Sequence, residues 1–191
     1  RVEFPGKLFG RTRFIHDFAL PGLLHGRVMR PENARAKLTG LNDAAARAVP
    51  GFVAVVRDGT FAGVVCETEA AAEAALAALR KGTAWSEGET LPDESDLASF
   101  LRAQPVETTV IDTRTATNPG KKARTLKRQY VRPYIAHASI APSCAMAQWT
   151  GSDRVHVWTH SQGVYLLRND LGLVLKLPTE NITVEHLEGA G

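Results

Sequence analysis

The sequence has few cysteines, few aromatic residues and no long apolar run. Its two cysteines, Cys66 and Cys144, lie far apart in a chain of 191 residues. They exclude a disulfide framework, an all-cysteine zinc site and an iron–sulfur cluster held by this chain alone. Aromatic residues make up 7% of the chain, which leaves few rings for stacking nucleic-acid bases. No segment approaches the ~20 apolar residues of a membrane helix, and no apolar core of a signal peptide is seen.

The remaining composition is that of an ordinary globular protein, with 44% hydrophobic and 23% charged residues. A net charge of +3 is too small to indicate nucleic-acid binding by itself. The absence of a disulfide pattern favours a reducing compartment, so we expect the cytoplasm, with the periplasm left open. The run LEGAG at 187–191 leads from the end of a predicted strand into glycine-rich sequence, so we interpret the chain as a fragment of a longer protein.

Charge is unevenly distributed in the middle of the chain. Residues 83–112 carry seven acidic side chains and a single arginine, whereas residues 114–132 carry seven basic side chains and no acidic one. This basic segment is interpreted as a solvated linker or, alternatively, as a surface for an acidic partner subunit or a phosphate-bearing cofactor. Nucleic acid is the least favoured partner, because Tyr130 and Tyr134 are the only aromatic residues near the run.

Apolar periodicity predicts a mixed α+β fold with antiparallel hairpins and a βαβ-like order. The helix at 69–81 has the clearest boundaries, since Thr68 can cap its first turn and Gly82 follows its last. Its narrow face of Ala72, Leu76 and Leu79 suits close packing on a sheet. We place a domain boundary in the turn-rich loop at 118–123, which gives domains at 1–121 and 122–191. Strands are predicted at 23–31, 36–41, 52–58, 60–68, 83–85, 106–113, 125–131, 143–150, 153–160 and 181–188, and further helices at 44–49, 96–104 and 164–177.

Most familiar catalytic and nucleotide-binding motifs are absent from the sequence. His156 and His160 fall on one predicted strand, where residues four apart are separated by ~13 Å, so no shared metal is expected. Ser161 lacks the leading glycine of a nucleophile elbow, and Cys144 is interpreted as a small core residue. A small hydrolase that uses Ser161 or Cys144 is therefore the least favoured of three functional hypotheses.

The run WTHSQG at 158–163 places polar side chains between a predicted strand and a predicted helix. Open sheets often bind ligands at such junctions. Gln162 could hold an oxygen ligand without carrying charge, because its amide both donates and accepts hydrogen bonds. A helix cap beside a solvent-exposed amide is the alternative interpretation.

Five segments together resemble the molybdopterin-binding large subunit of the xanthine dehydrogenase/aldehyde oxidase family, near its isoquinoline 1-oxidoreductase and nicotinate dehydrogenase branch. They are GKLFGRTRFIHDFALPGLLHGRVMRPENARAKL at 6–38, PGFVAVVRDGTFAGVVCETEAAAEAA at 50–75, RPYIAHASIAPSCAMAQW at 132–149, VWTHSQGVYLLRNDLGLVL at 157–175 and ITVEHLEGAG at 182–191. The family's usual Glu-Pro is Ala141-Pro142 here.

The resemblance implies an α/β-hammerhead domain at 1–121, followed by the first part of a molybdopterin-binding domain at 122–191. It implies a molybdenum hydroxylase that acts on aldehydes or N-heterocycles with oxygen from water and passes electrons to an iron–sulfur small subunit. In the family, the glutamine matching Gln162 hydrogen-bonds an oxygen ligand of the molybdenum, and the segment matching Gly189 and Gly191 begins a loop beside the cofactor. No catalytic base and no protein metal ligand is assigned here, because the family's catalytic glutamate lies far downstream. We expect the isolated chain to be inactive and without cofactor. The second hypothesis is a non-catalytic domain of the same ancestry that docks an iron–sulfur partner.

Overall fold

The computed structural model describes residues 2, 4–11, 14–33, 35–114, 126–140 and 142–189. The chain folds into two compact units. One is Leu24–Tyr134, and the other is discontinuous and consists of Arg1–Leu23 together with Ile135–Gly191. The predicted boundary between residues 121 and 122 lies outside the described residues, so that division stays a prediction. The grouping of the first residues with the last third of the chain was not anticipated from local sequence patterns.

The unit Leu24–Tyr134 contains two small antiparallel sheets. The larger sheet has the strand order β1-β4-β3, and β2 pairs with β5 in the smaller one. The predicted hairpin of β3 and β4 is confirmed, with Asp58 and Phe61 paired across the turn. In chain order the elements are β1 (His25–Met29), β2 (Leu38–Leu41), α2 (Ala44–Arg47), β3 (Phe52–Asp58), β4 (Phe61–Cys66), α3 (Glu69–Lys81), β5 (Thr83–Trp85) and α4 (Leu97–Ala103), after α1 (Phe4–Leu8) of the other unit.

Helix α3 packs on the larger sheet through the face predicted from the sequence. Ala72, Leu76 and Leu79 are buried in a core that also contains Val64 of β4. The hydroxyl of Thr68 accepts a hydrogen bond from the Ala71 N–H at 3.1 Å, which confirms the predicted cap. On the rim, Arg27 of β1 forms ion pairs with two glutamates of α3, and its hydrogen bond to one of them, Glu73, raises the pKa of the guanidinium.

The discontinuous unit is built on a three-stranded sheet of order β6-β7-β8. Strand β6 (Ala145–Trp149) is antiparallel to β7 (Val155–Thr159), and β7 is parallel to β8 (Ile182–His186). Helix α5 (Val164–Leu175) connects the two parallel strands, as the βαβ-like order predicts. Apolar clusters form on both faces of the sheet, one around Val157 and Ile182 and the other around Ile15, Met146 and Trp158.

Helix α5 lies where the sequence places it, but its apolar residues do not all face the sheet. Leu171 packs against the core, whereas Val174 is 77% exposed. The exposed side also carries Tyr165, Leu166 and Leu173, so this helix presents apolar surface away from its own sheet. Within the described ranges, no helix combines the length and the hydrophobicity that crossing a membrane requires.

Two predicted strands do not form. Residues 106–113 are irregular, with Ile111 96% exposed, and the described part of the second segment, residues 126–131, is irregular as well. Residue 125 lies outside the described residues. A segment with an alternating pattern forms a strand only where it can pair with a neighbouring strand and pack on a core. Among the described residues, neither segment has such a neighbouring strand.

Candidate functional site

The junction between β7 and α5 is shaped by its own side chains. Thr159 ends β7 and is buried, and its hydroxyl oxygen accepts a hydrogen bond from the Ser161 N–H at 3.2 Å. The hydroxyl oxygen of Ser161 accepts in turn from the Gly163 N–H at 3.3 Å. These two bonds fix the backbone that carries Gln162 from the strand to the helix.

Gln162 lies at the start of α5 with its side chain exposed, and it forms no hydrogen bond with any described residue. Gly163 is the N-cap residue and provides no capping side chain. The first backbone N–H groups of an α-helix have no partner within the helix, and they favour anionic or oxygen-rich groups. The junction therefore combines a neutral amide with an uncapped helix terminus.

Gly189 follows β8 and approaches the same end of the sheet. The Leu187 N–H donates to the Thr159 carbonyl at 2.9 Å, which attaches the segment after β8 to the end of β7. A Cβ atom at position 189 would lie 2.7 Å from the Cβ of His160 and 2.9 Å from the Cγ2 of Ile15. Such distances exclude any side chain, so glycine is required for this close approach. Gly191 lies outside the described residues.

The structure thus brings Gln162 and Gly189 to the carboxyl ends of two adjacent parallel strands, β7 and β8. Ligands bind at this edge in open sheets with parallel strands. The side chains of His156 and His160 have different partners: His156 Nε2 lies 3.1 Å from a carboxylate oxygen of Glu185, whereas His160 Nε2 accepts from the Cys144 N–H. No group of three or more potential metal ligands occurs among the described residues.

Charged side chains occur next to Gly189 and in the first half of α5. The Nζ of Lys7 lies 3.3 Å from a carboxylate oxygen of Glu188, the residue next to Gly189. On α5, the Arg168 guanidinium lies 5.8 Å from the centre of the Tyr165 ring, and its Nε is buried without a hydrogen-bond partner among the described residues. The Arg168 Nε is therefore a donor in the amino-terminal half of α5 that no described residue uses.

Comparison with known proteins identifies the protein family of this chain. Residues 107–189 match the family described as the molybdopterin cofactor-binding domain. A subunit of the nicotinate dehydrogenase of Pseudomonas putida is 37% identical over 201 residues, which include all of this chain and 17% of that protein. The chain belongs to the xanthine dehydrogenase/aldehyde oxidase family of molybdopterin-binding subunits. Another family member, the aldehyde oxidoreductase molybdenum-binding subunit PaoC of Escherichia coli K12, is 26% identical, with 96% of this chain and 29% of PaoC aligned.

Two solved structures share the fold of this chain. The crystal structure of quinoline 2-oxidoreductase from Pseudomonas putida 86 matches with a TM-score of 0.72 at 21% identity, over 100% of this chain and 30% of that chain. Reconstituted CO dehydrogenase from Oligotropha carboxidovorans matches with a TM-score of 0.64 at 16% identity, also over 100% of this chain and 30% of that chain. These matches confirm the mixed helix-and-strand fold. The chain spans less than a third of the length of each of these relatives.

The residues at the junction fit the cofactor of the molybdopterin-binding family. Its pterin and molybdenum centre carry many oxygen atoms and negative charge, which suit backbone N–H groups and a neutral amide better than a carboxylate. A Cβ at Gly163 would meet no atom within 4 Å, so there is open space beside the start of α5. The sequence predicted Gln162 and Gly189 as candidates. It contained no sign of the hydrogen bond from His16 Nε2 to the Pro142 carbonyl or of the one that His160 Nε2 accepts from the Cys144 N–H. These hydrogen bonds reach backbone atoms of a distant segment, and no local pattern records such contacts.

Proposed function

We propose that this chain is part of the molybdenum-cofactor-binding catalytic subunit of an oxidoreductase that hydroxylates aldehydes or N-heterocycles with oxygen from water. The observation that supports this proposal most directly is the position of Gln162 and Gly189. Both lie at the same end of the sheet, inside the segment that matches the cofactor-binding family. The names of its relatives support the substrate class, since they include a nicotinate dehydrogenase, an aldehyde oxidoreductase and a quinoline 2-oxidoreductase.

In this proposal, Gln162, Gly189 and Gly191 hold the molybdopterin cofactor. When bound, the cofactor supplies the two-electron oxidation and the transfer of an oxygen atom from water to the substrate. Gln162 orients the cofactor through an amide that both donates and accepts hydrogen bonds. Gly189 lets the backbone after β8 lie against His160 with no side chain in between. We place the general base in a part of the longer relatives that this chain does not span.

The two other hypotheses have less support. Nothing favours a non-catalytic docking domain over a catalytic subunit, because the named relatives are enzyme subunits. A hydrolase would need a base beside its nucleophile. The hydroxyl oxygen of Ser161 instead accepts from the Gly163 N–H, and no histidine or carboxylate among the described residues hydrogen-bonds it. Cys144 packs at the edge of the apolar cluster around Trp158.

The complete protein would work with an iron–sulfur small subunit as electron acceptor. We propose that the basic segment at 114–132 contributes to that interface, and its described part, residues 114 and 126–132, is exposed. We propose that the α/β-hammerhead domain predicted at 1–121 corresponds to the unit Leu24–Tyr134. We assign the protein to the cytoplasm, with the periplasm as the alternative. The 191-residue chain by itself is expected to hold no cofactor and to show no turnover.

The test of the proposed function is a set of glutamine variants in the complete natural protein. Gln162→Ala should lower turnover by ~10²–10³-fold, as the loss of one preorganised donor does in other active sites. Folding and molybdenum content should change little, because the side chain is exposed. Gln162→Glu should be at least as damaging, since a carboxylate cannot donate and would repel anionic groups.

Gln148→Ala is the matched control, because Gln148 is an exposed glutamine on β6 of the same unit. It should leave turnover unchanged. The measurements are molybdenum analysis and steady-state kinetics with an aldehyde and with an N-heterocycle. Turnover at the wild-type level in Gln162→Ala with molybdenum bound would remove Gln162 from the site. A complete wild-type protein that binds no molybdenum would refute the proposed function itself.

A further inference from the structure

His160 contacts both neighbours of β7 at the end of the sheet where Gln162 and Gly189 lie. On one side, its Nε2 accepts a hydrogen bond from the Cys144 N–H at 3.2 Å, just before β6 begins. On the other side, its Cβ and Cγ lie 2.7 Å and 2.9 Å from where a Cβ of Gly189 would be. One half-buried side chain thus touches the segment that enters β6 and the segment that leaves β8.

A second histidine holds the segment before β6 from the N-terminal part of the chain. The Nε2 of His16 lies 2.8 Å from the Pro142 carbonyl oxygen and donates to it. The neighbouring Ile15 is buried, and its N–H donates to the Glu188 carbonyl at 2.8 Å. The contacts of His16 and His160 therefore converge on residues 142–144, and those of Ile15 and His160 converge on residues 188–189.

The hydrogen bond of His160 requires one protonation state of the ring. A nitrogen that accepts from a backbone N–H carries no proton, so the ring proton of His160 lies on Nδ1. A glutamine can present an acceptor oxygen at a similar distance from the backbone. A leucine keeps the Cβ and Cγ that pack against Gly189 but has no acceptor.

We propose that His160 is a positioning residue: it fixes the turn after β8 and the entry to β6 against the junction that carries Gln162. This role rests on the proposed function, because the segments that it holds are those assigned to the cofactor. His160 itself touches no cofactor in this proposal. It fixes the position of Gly189 relative to the backbone at 159–163, so that both segments can contact the cofactor at the same time.

Hydrogen–deuterium exchange on the complete natural protein tests this role without relying on activity. In His160→Leu, peptides covering residues 142–146 and 186–189 should exchange about tenfold faster, because an amide loses its acceptor and the segments loosen locally. In His160→Gln, exchange should stay within about twofold of wild type. His186→Leu is the matched control, since His186 is an exposed histidine at the end of β8. It should leave exchange in both regions unchanged.

Molybdenum content of the same samples is the second measurement. The fraction of folded protein that carries molybdenum should fall in His160→Leu and recover in His160→Gln, with melting temperatures that separate this loss from global unfolding. Wild-type exchange in His160→Leu would overturn the positioning role. Equal loss of molybdenum in the leucine and glutamine variants would do so too, because the acceptor would then be irrelevant. Absence of molybdenum from the wild type, with exchange as expected, would refute the proposed function alone.

Discussion

Replacing Ile15 with alanine tests whether the N-terminal residues belong to the same unit as the last third of the chain. Ile15 is 2% exposed and packs with Met146 and Trp158. The change removes three carbon atoms, which at ~0.8 kcal/mol per buried methylene corresponds to about 2.4 kcal/mol. The cavity that remains adds to this loss, so we expect a destabilisation of ~2–5 kcal/mol. The backbone hydrogen bond from Ile15 to Glu188 is retained in the variant.

Urea unfolding followed by tryptophan fluorescence and circular dichroism measures this loss. Phe9→Ala is the matched control, because Phe9 is a large apolar residue of the same segment that is 70% exposed. It should change the free energy of unfolding by less than ~0.5 kcal/mol, as surface substitutions do. Limited proteolysis should cleave residues 1–23 faster in Ile15→Ala than in Phe9→Ala. Equal stability and equal cleavage in the two variants would mean that the N-terminal segment does not pack on the sheet.

Two further predictions concern the unit Leu24–Tyr134 and the proposed partner. Leu76→Ala should destabilise that unit by ~2–5 kcal/mol in thermal or urea unfolding, because Leu76 is buried between α3 and the sheet. A loss below ~0.5 kcal/mol would mean that α3 is exposed. Charge reversal of Lys121 and Lys122 to glutamate should slow association with the iron–sulfur subunit at low salt and leave stability unchanged. Association rates that match the wild type at every ionic strength would leave only a linker role for the basic segment.

The elements that sequence reasoning predicted well are those whose signals are local. Helix α3 begins and ends where Thr68 and Gly82 predict, because a cap residue acts on amides within the same turn. The hairpin of β3 and β4 follows from a two-residue turn between β-branched runs. Residues 106–113 show the limit of such patterns. Val106, Val110 and Ile111 among threonines indicate a strand locally. Strand formation also depends on a partner elsewhere in the chain.

Tertiary contacts override periodicity in α5 as well. The helical spacing of Leu171 and Val174 predicts that both face a core, yet Leu171 packs and Val174 is exposed. Gly172 is buried instead, close to the Leu177 carbonyl and to Ile182. The absence of a side chain at 172 lets the helix lie close to β8, and the apolar residues around it are distributed to both sides. A hydrophobic pattern therefore identifies the helix, but not the side that its own sheet covers.

For the candidate site, too, some residues can be predicted from local sequence, whereas the contacts between distant residues cannot. Gln162 could be predicted as a candidate because a polar run between an apolar strand and a helix is visible in the sequence and resembles a known family. The contacts that hold this junction are not visible there, since the bond from His16 to Pro142 joins residues 126 positions apart. Gly189 illustrates how the two kinds of signal combine. The sequence shows only a glycine after a strand, whereas the structure shows that His160 and Ile15 leave no room for a side chain at that position. A substitution at 189 and one at 160 should therefore disturb the same two segments, although the two residues are far apart in the chain.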